Sequence, residues 1–138
     1  MRKRTKAREY ALQVLYQIDI THDNYETSLS NLWQSLSEED IQDEVKNFTT
    51  ELVKGVIENW DALDEKIVQF ATNWELKRMA VVDRNILRLC CYELLFRNDI
   101  PPKVSINEGV ELAKKYSSVN AGKFVNGILD RVKLEAHK

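Results

Sequence analysis

Glycine and proline are scarce in this 138-residue chain, at four and two residues. Sandwiches and barrels need turn residues at every corner, so the scarcity argues against them and for long helices. The two cysteines, Cys90 and Cys91, are adjacent. On a helix neighbouring side chains diverge by about 100°, so this pair suits neither a disulfide nor a metal and is expected as two small buried hydrophobes. The only histidines, His22 and His137, stand apart from each other and from any ligand cluster, and no metal or cofactor is expected. No apolar run exceeds four residues, the length of Met79–Val82 and Leu89–Tyr92. That excludes a membrane-spanning helix, and nothing near Met1 resembles a signal peptide, so the chain reads as cytoplasmic. At 43% apolar and 30% charged residues it reads as one compact domain able to bury a core.

The net charge of −2 hides a segregated distribution. The first eight residues, MRKRTKAR, hold five basic side chains (Arg2, Lys3, Arg4, Lys6, Arg8) and no acid, while the remainder holds 15 basic and 22 acidic groups. A basic arm on an acidic body serves an anionic partner such as nucleic acid. The competing reading is a solvated terminus, and the arm is expected to be disordered without a partner.

Helical periodicity recurs along the whole chain. A first helix is expected over 4–20, with Ala7, Ala11, Val14 (or Leu15) and Ile18 as its apolar stripe. Arg4, Arg8, Leu12 and Tyr16 share a neighbouring face at i,i+4 spacing, which would run cations into an aromatic ring along one rod. A second helix is expected over 25–36, with Leu29, Leu32, Trp33 and Leu36 facing inward. Ser37 and Asp40 read as a capping box opening a third over 38–58, with Ile41, Val45, Phe48, Leu52 and Val56 (or Val53) as its stripe. A fourth follows over 60–72 and a long fifth over 79–97, which Pro101-Pro102 forces to stop. Ser105 with Glu108 reads as a second capping box starting a helix to Tyr116. Ser117–Asn120 forms a turn, and a last helix covers 122–134. Within it Gly127 costs about 1 kcal/mol relative to alanine, and close packing against another backbone is the expected reason. The fold class is all-α, with about seven helices.

The chemistry of an enzyme is missing. There is no Gly-x-Ser-x-Gly elbow, and four scattered glycines cannot build a phosphate loop. His22-Asp23 is too little for a metal-dependent phosphohydrolase. Glu38-Glu39 and Asp64-Glu65 read as solvated helix faces, as do Lys103, Lys114 and Lys115. A binding protein is the better reading.

Three stretches carry a resemblance: RKRTKAREYALQVLYQID, VDRNILRLCCYELLFRNDIPPKVSINEGVELAKKY and KFVNGILD. Together they resemble the NusB family of bacterial transcription antitermination factors, across nearly the whole chain and least between about 22 and 75. The resemblance implies two small helical halves packed together. It implies an adaptor that pairs with NusE, a small-subunit ribosomal protein, and binds single-stranded boxA RNA of ribosomal-RNA operons. RNA polymerase, in an elongation complex with other Nus factors, would then read through terminators.

By the same resemblance Arg2, Lys3, Arg4, Lys6 and Arg8 match an arginine-rich RNA-binding motif. Tyr16, Lys123 and Phe124 are also expected to face RNA. Asp83 and Arg84 are implied to face NusE, with Glu93 as a weaker candidate. Tyr16 and Phe124 also lie on apolar stripes, where core packing is the competing reading, and Asp83 and Arg84 also fit solvated helix charges. Asn120-Ala121 stands where the family often has an acid and a serine. A similar domain precedes the catalytic domain of a ribosomal-RNA cytosine methyltransferase. The end of this chain eight residues after Asp130 speaks against that alternative, and a pure helical scaffold is the third.

Overall fold

The computed structural model describes residues 2–136, so His137 lies outside the described residues. Among these there are seven α-helices, two single-turn 3-10 helices and no strand. They form two compact units, Met1–Glu58 and Asn59–Lys138. The division falls between consecutive helices with neither glycine nor proline at the junction, so no composition shift marks it.

The first unit contains α1 (Lys3–Thr21), α2 (Tyr25–Ser35) and α3 (Asp43–Glu58). The expected stripe of α1 is buried, and both alternatives at its centre, Val14 and Leu15, are inside. Arg8, Tyr10 and Leu12 are buried as well, so α1 hides more than one face. On α3, Val45, Phe48, Leu52, Val53 and Val56 are buried. The Thr49 hydroxyl lies 2.7 Å from the Val45 carbonyl oxygen and 3.2 Å from that of Ala7, tying α3 to α1. By contrast α2 fully buries only Ser28 and Leu29; Leu32, Trp33 and Leu36, expected inside, are half-buried. The Ser37–Asp40 pair does not open α3. The Ser37 hydroxyl donates to Asp40 at 2.9 Å across the 3-10 turn Glu38–Asp40, and α3 starts at Asp43.

The second unit contains α4 (Trp60–Phe70), α5 (Val81–Phe96), α6 (Pro102–Tyr116) and α7 (Val119–Lys133), with the 3-10 turn Leu76–Arg78 before α5. The central helix is α5, which packs against α4, α6 and α7. Ile86, Leu87, Leu89, Cys90, Cys91 and Leu94 are accordingly all fully buried. Burial, and secondarily the charge of Asp64, pushes the Cys91 thiol up to about 12, so it stays protonated. Pro102 sits at the first position of α6, where its missing N–H is no loss. Ser105 therefore lies inside that helix rather than capping it.

Two further expectations are corrected in this unit. The glycine that close packing demands is Gly109, not Gly127. A Cβ at 109 would come 2.7 Å from the Cys90 Sγ and 3.2 Å from Leu129 Cδ1, whereas one at 127 would meet nothing within 4 Å. Nor is Asp64 a solvated helix charge. Its carboxylate takes both Nε (2.6 Å) and Nη2 (3.1 Å) of Arg88, a side chain buried beneath α4. The same guanidinium lies 3.9 Å over the Trp60 ring and donates to Asn85 at 2.9 Å. This bidentate, stacked arrangement locks α4 to α5.

Candidate nucleic-acid interface

In the first unit the basic arm is helical from Lys3 onward, where the sequence reading expects disorder. Arg2 occupies the N-cap with extended backbone and makes no side-chain cap, and the first turn holds no acid. An isolated helix disfavours both choices: uncapped N–H groups stay unsatisfied, and cations oppose the positive end of the helix dipole at about 0.3–1 kcal/mol each. The same arrangement concentrates positive potential and N–H donors at one end of a rod, which suits a phosphate.

The five cations have different surroundings. Arg2, Lys3 and Arg4 are exposed; Lys3 pairs with Glu44 at 3.3 Å, and Arg4 lies 4.3 Å over the Phe48 ring. Lys6 donates to Asp40 at 2.8 Å. That hydrogen bond holds the Asp40 carboxyl below its ordinary range, with Ser37 assisting, and raises Lys6. Arg8 is only 1% exposed and lies 5.4 Å from the Phe48 ring, so it supports the packing of α3 instead of facing solvent. Its expected RNA-facing position is not what the fold provides. Tyr16, two turns further on, is 39% exposed, so it is not a core residue.

In the second unit Lys123 is exposed on α7, and Phe124 is half-buried. Phe124 meets Trp74 edge-to-face, with ring centroids 5.6 Å apart. Trp74, 51% exposed, follows Asn73, whose φ of 71° turns the chain after α4. The two rings stand on a cleft of about 380 Å³ that Arg78, Asp83, Ser118 and Asn120 also line. Sequence reasoning missed Trp74 and Arg78 as site residues. No motif joins them to Phe124, and only the fold of the unit brings them together. Asn120, the departure from the family pattern, lies on this cleft.

Asp83, in the first turn of α5, has a buried Oδ1 with no hydrogen-bond partner among the described residues. A carboxylate oxygen in that state is an acceptor short of a donor. Arg84 is half-buried beside it in sequence. Glu93 differs: it is completely buried and accepts from the Ser105 hydroxyl at 2.8 Å. It joins α5 to α6 and offers no surface to a partner. Among the described residues no group of three His, Cys, Asp or Glu side chains could hold a metal, and no helix is long and apolar enough to cross a membrane.

A sequence model of the NusB family matches residues 5–133 of the chain. The transcription antitermination protein NusB of Anaeromyxobacter dehalogenans (strain 2CP-1 / ATCC BAA-258) is 52% identical over 130 residues, covering 94% of this chain and 89% of that protein. The NusB of Thermodesulfovibrio yellowstonii is 43% identical over 141 residues, covering 96% and 93%. Among solved structures, T. maritima NusB superposes with a TM-score of 0.88 at 38% identity, covering 98% of this chain and 93% of that one. A chain from a crystal of antitermination factors NusB and NusE in complex with dsRNA superposes with a TM-score of 0.87 at 30% identity, covering 98% of both.

Proposed function

The chain belongs to the NusB family of non-enzymatic transcription antitermination factors, and from that premise we propose that it binds the single-stranded boxA element of ribosomal-operon RNA together with NusE. Bound there, it helps make RNA polymerase, with other Nus factors, resistant to termination in the cytoplasm. The observation that carries the RNA reading is the N-terminus of α1, uncapped, without an acid in its first turn, and bearing Arg2, Lys3 and Arg4 on its surface. Such a helix end attracts phosphates more than it stabilises itself.

The division of labour follows from the chemistry of each unit. In the first, Arg2, Lys3 and Arg4 capture the backbone electrostatically, and the exposed ring of Tyr16 on the same helix is available to stack on a base. In the second, Phe124 and Trp74 provide aromatic faces at a cleft, and Lys123 supplies a cation. Lys6 and Arg8 belong to this motif by sequence, but they act mainly by holding α1 to the rest of its unit. Asp83 and Arg84 are assigned to the NusE-facing surface. Asp83 also lines the Trp74–Phe124 cleft, so the surface assigned to NusE adjoins the one assigned to RNA. Glu93 supports that surface from inside.

The test is binding of a boxA-like single-stranded RNA, with and without NusE, across a salt series. The expected result is an affinity that rises with NusE, falls for a scrambled RNA and declines steeply with salt, at a log–log slope of about −0.7 per phosphate contact. Equal binding of scrambled RNA in both conditions would reduce the arm to a nonspecific anion binder. The helical-scaffold reading would then take its place.

A further inference from the structure

The acids of the first unit are not spread evenly. Residues 38–44, EEDIQDE, hold five acids and no base, as many charges as the five cations of residues 1–8. Asp43 and Glu44 stand in the first turn of α3, where negative charge suits the helix dipole. Asp40 has no such reason, since it belongs to the single 3-10 turn before that helix.

The fold turns this segment onto α1. The two oxygens of Asp40 have separate tasks: Oδ2 accepts from the Ser37 hydroxyl at 2.9 Å, and Oδ1 accepts from the Lys6 ammonium at 2.8 Å. Ser37 thereby aims a carboxylate at a cation 34 positions away in the chain. One turn nearer the amino terminus, Glu44 lies 3.3 Å from Lys3. Two cations of the arm are thus already held by carboxylate oxygens, as phosphate oxygens would hold them. Both pairs are open to water: the Lys3 and Glu44 side chains are 54% and 75% exposed, and those of Lys6 and Asp40 33% and 43%. Exposed ion pairs are weak and screened by salt, so each can exchange partners. An RNA strand brings many phosphates and releases condensed counterions as it binds, an advantage no single carboxylate has.

We propose that the acidic segment 38–44 is an internal competitor for RNA: Asp40 and Glu44 occupy Lys6 and Lys3 in the free protein, and phosphates engage these lysines only by displacing them. The proposal rests on the RNA-binding reading above and deepens it with a regulator built into the same unit. Lys6 holds α1 while Asp40 is its partner and becomes a phosphate ligand when RNA takes that place. The competition weakens capture by the arm for any RNA, whatever its bases. Retention of a strand then depends on the contacts that read bases.

The test uses the full-length protein with Asp40→Asn, Glu44→Gln and both together, titrated with the boxA-like RNA and its scrambled form across a salt series. Asp40→Asn should tighten binding about twofold and the double variant about fivefold at 0.1 M salt, by like factors for the two RNAs. The salt slope should steepen by up to about 0.7 for each lysine released. A double-mutant cycle separates exchange from simple repulsion: in a Lys6→Ala background, Asp40→Asn should leave RNA affinity unchanged. An equal gain with and without Lys6 would overturn the exchange and leave only the general repulsion of RNA by a negative charge. Unchanged or weaker binding by the double variant, with a wild-type melting temperature, would also overturn it and make the acids supports of α1. In both cases binding of the boxA-like RNA by the wild type would leave the RNA reading standing. Failure of wild type and double variant alike to bind RNA would overturn that reading, and this inference with it.

Discussion

The two helical units of this protein carry their binding chemistry in opposite ways. The first offers charge at the end of a helix, where Lys3 pairs with Glu44 and Arg4 lies over the Phe48 ring. The second offers a cleft with two aromatic rings, positioned by a buried frame in which Arg88 grips Asp64 and stacks on Trp60. Long-range capture of a phosphate chain tolerates imprecise placement, because Coulomb attraction extends over about 10 Å at moderate salt. Stacking on a base does not tolerate it, and neither does a hydrogen bond to Asp83. The exposed cations of the first unit and the framed rings of the second match the difference in the physics each unit uses.

Substituting Arg88 should break the comparison most severely. Arg88→Ala leaves the Asp64 carboxylate without its partner and should cost about 3–5 kcal/mol, read by denaturant unfolding. Its binding defect should lie in the cleft, so the salt dependence set by the arm should survive at temperatures where the variant stays folded. Loss of that salt dependence in folded protein would refute the separation of roles.

Phe124→Ala should come next, removing about 1–3 kcal/mol of binding by loss of a stacking surface, without altering the salt slope. The combined Arg2→Ala, Lys3→Ala, Arg4→Ala variant should do the reverse. Its slope should shallow by about two units and its affinity should fall roughly tenfold at 0.1 M salt, converging on wild type as salt rises. If the two variants shift slope and intercept alike, the units do not divide the work.

The Lys6–Asp40 contact should give the smallest effect. Asp40 is held below its ordinary 3.8, so what it contributes is present above that value and is lost as pH falls through the lowered one. Lys6 is raised above its ordinary 10.5, so its share is present below that value and disappears only in strong alkali. Between those limits the pair stays formed, and RNA binding should show no step from it. Asp40→Asn should release Lys6 and increase RNA affinity slightly, measurable as a small steepening of the salt series.

The sequence was informative where the signal is local and periodic. The stripe expected on α1 is buried, and so is that of α3 except Ile41, which lies before the helix starts at Asp43, because each of these faces meets a neighbouring helix. It misled where short polar signals have two uses. Ser37 and Asp40 form a 3-10 turn instead of a helix start, and Ser105, read as a cap, donates to buried Glu93. Gly127 drew attention as the packing glycine because it interrupts an apolar pattern, yet Gly109, on a polar-looking stretch, is the one pressed against Cys90.

The all-helical class, the number of helices and the concentration of positive charge at the amino terminus were determined by the sequence alone, since periodicity and charge are properties of neighbours along the chain. Which of those charges remain on the surface was not. Arg8 is buried and Lys6 tethered by residues more than 30 positions away. Trp74, Arg78, Asp83 and Phe124 likewise become one cleft only once α7 has packed on α5 and α4. A cation at the surface and a cation in the packing are written with the same letter, and the contacts that distinguish them form only on folding.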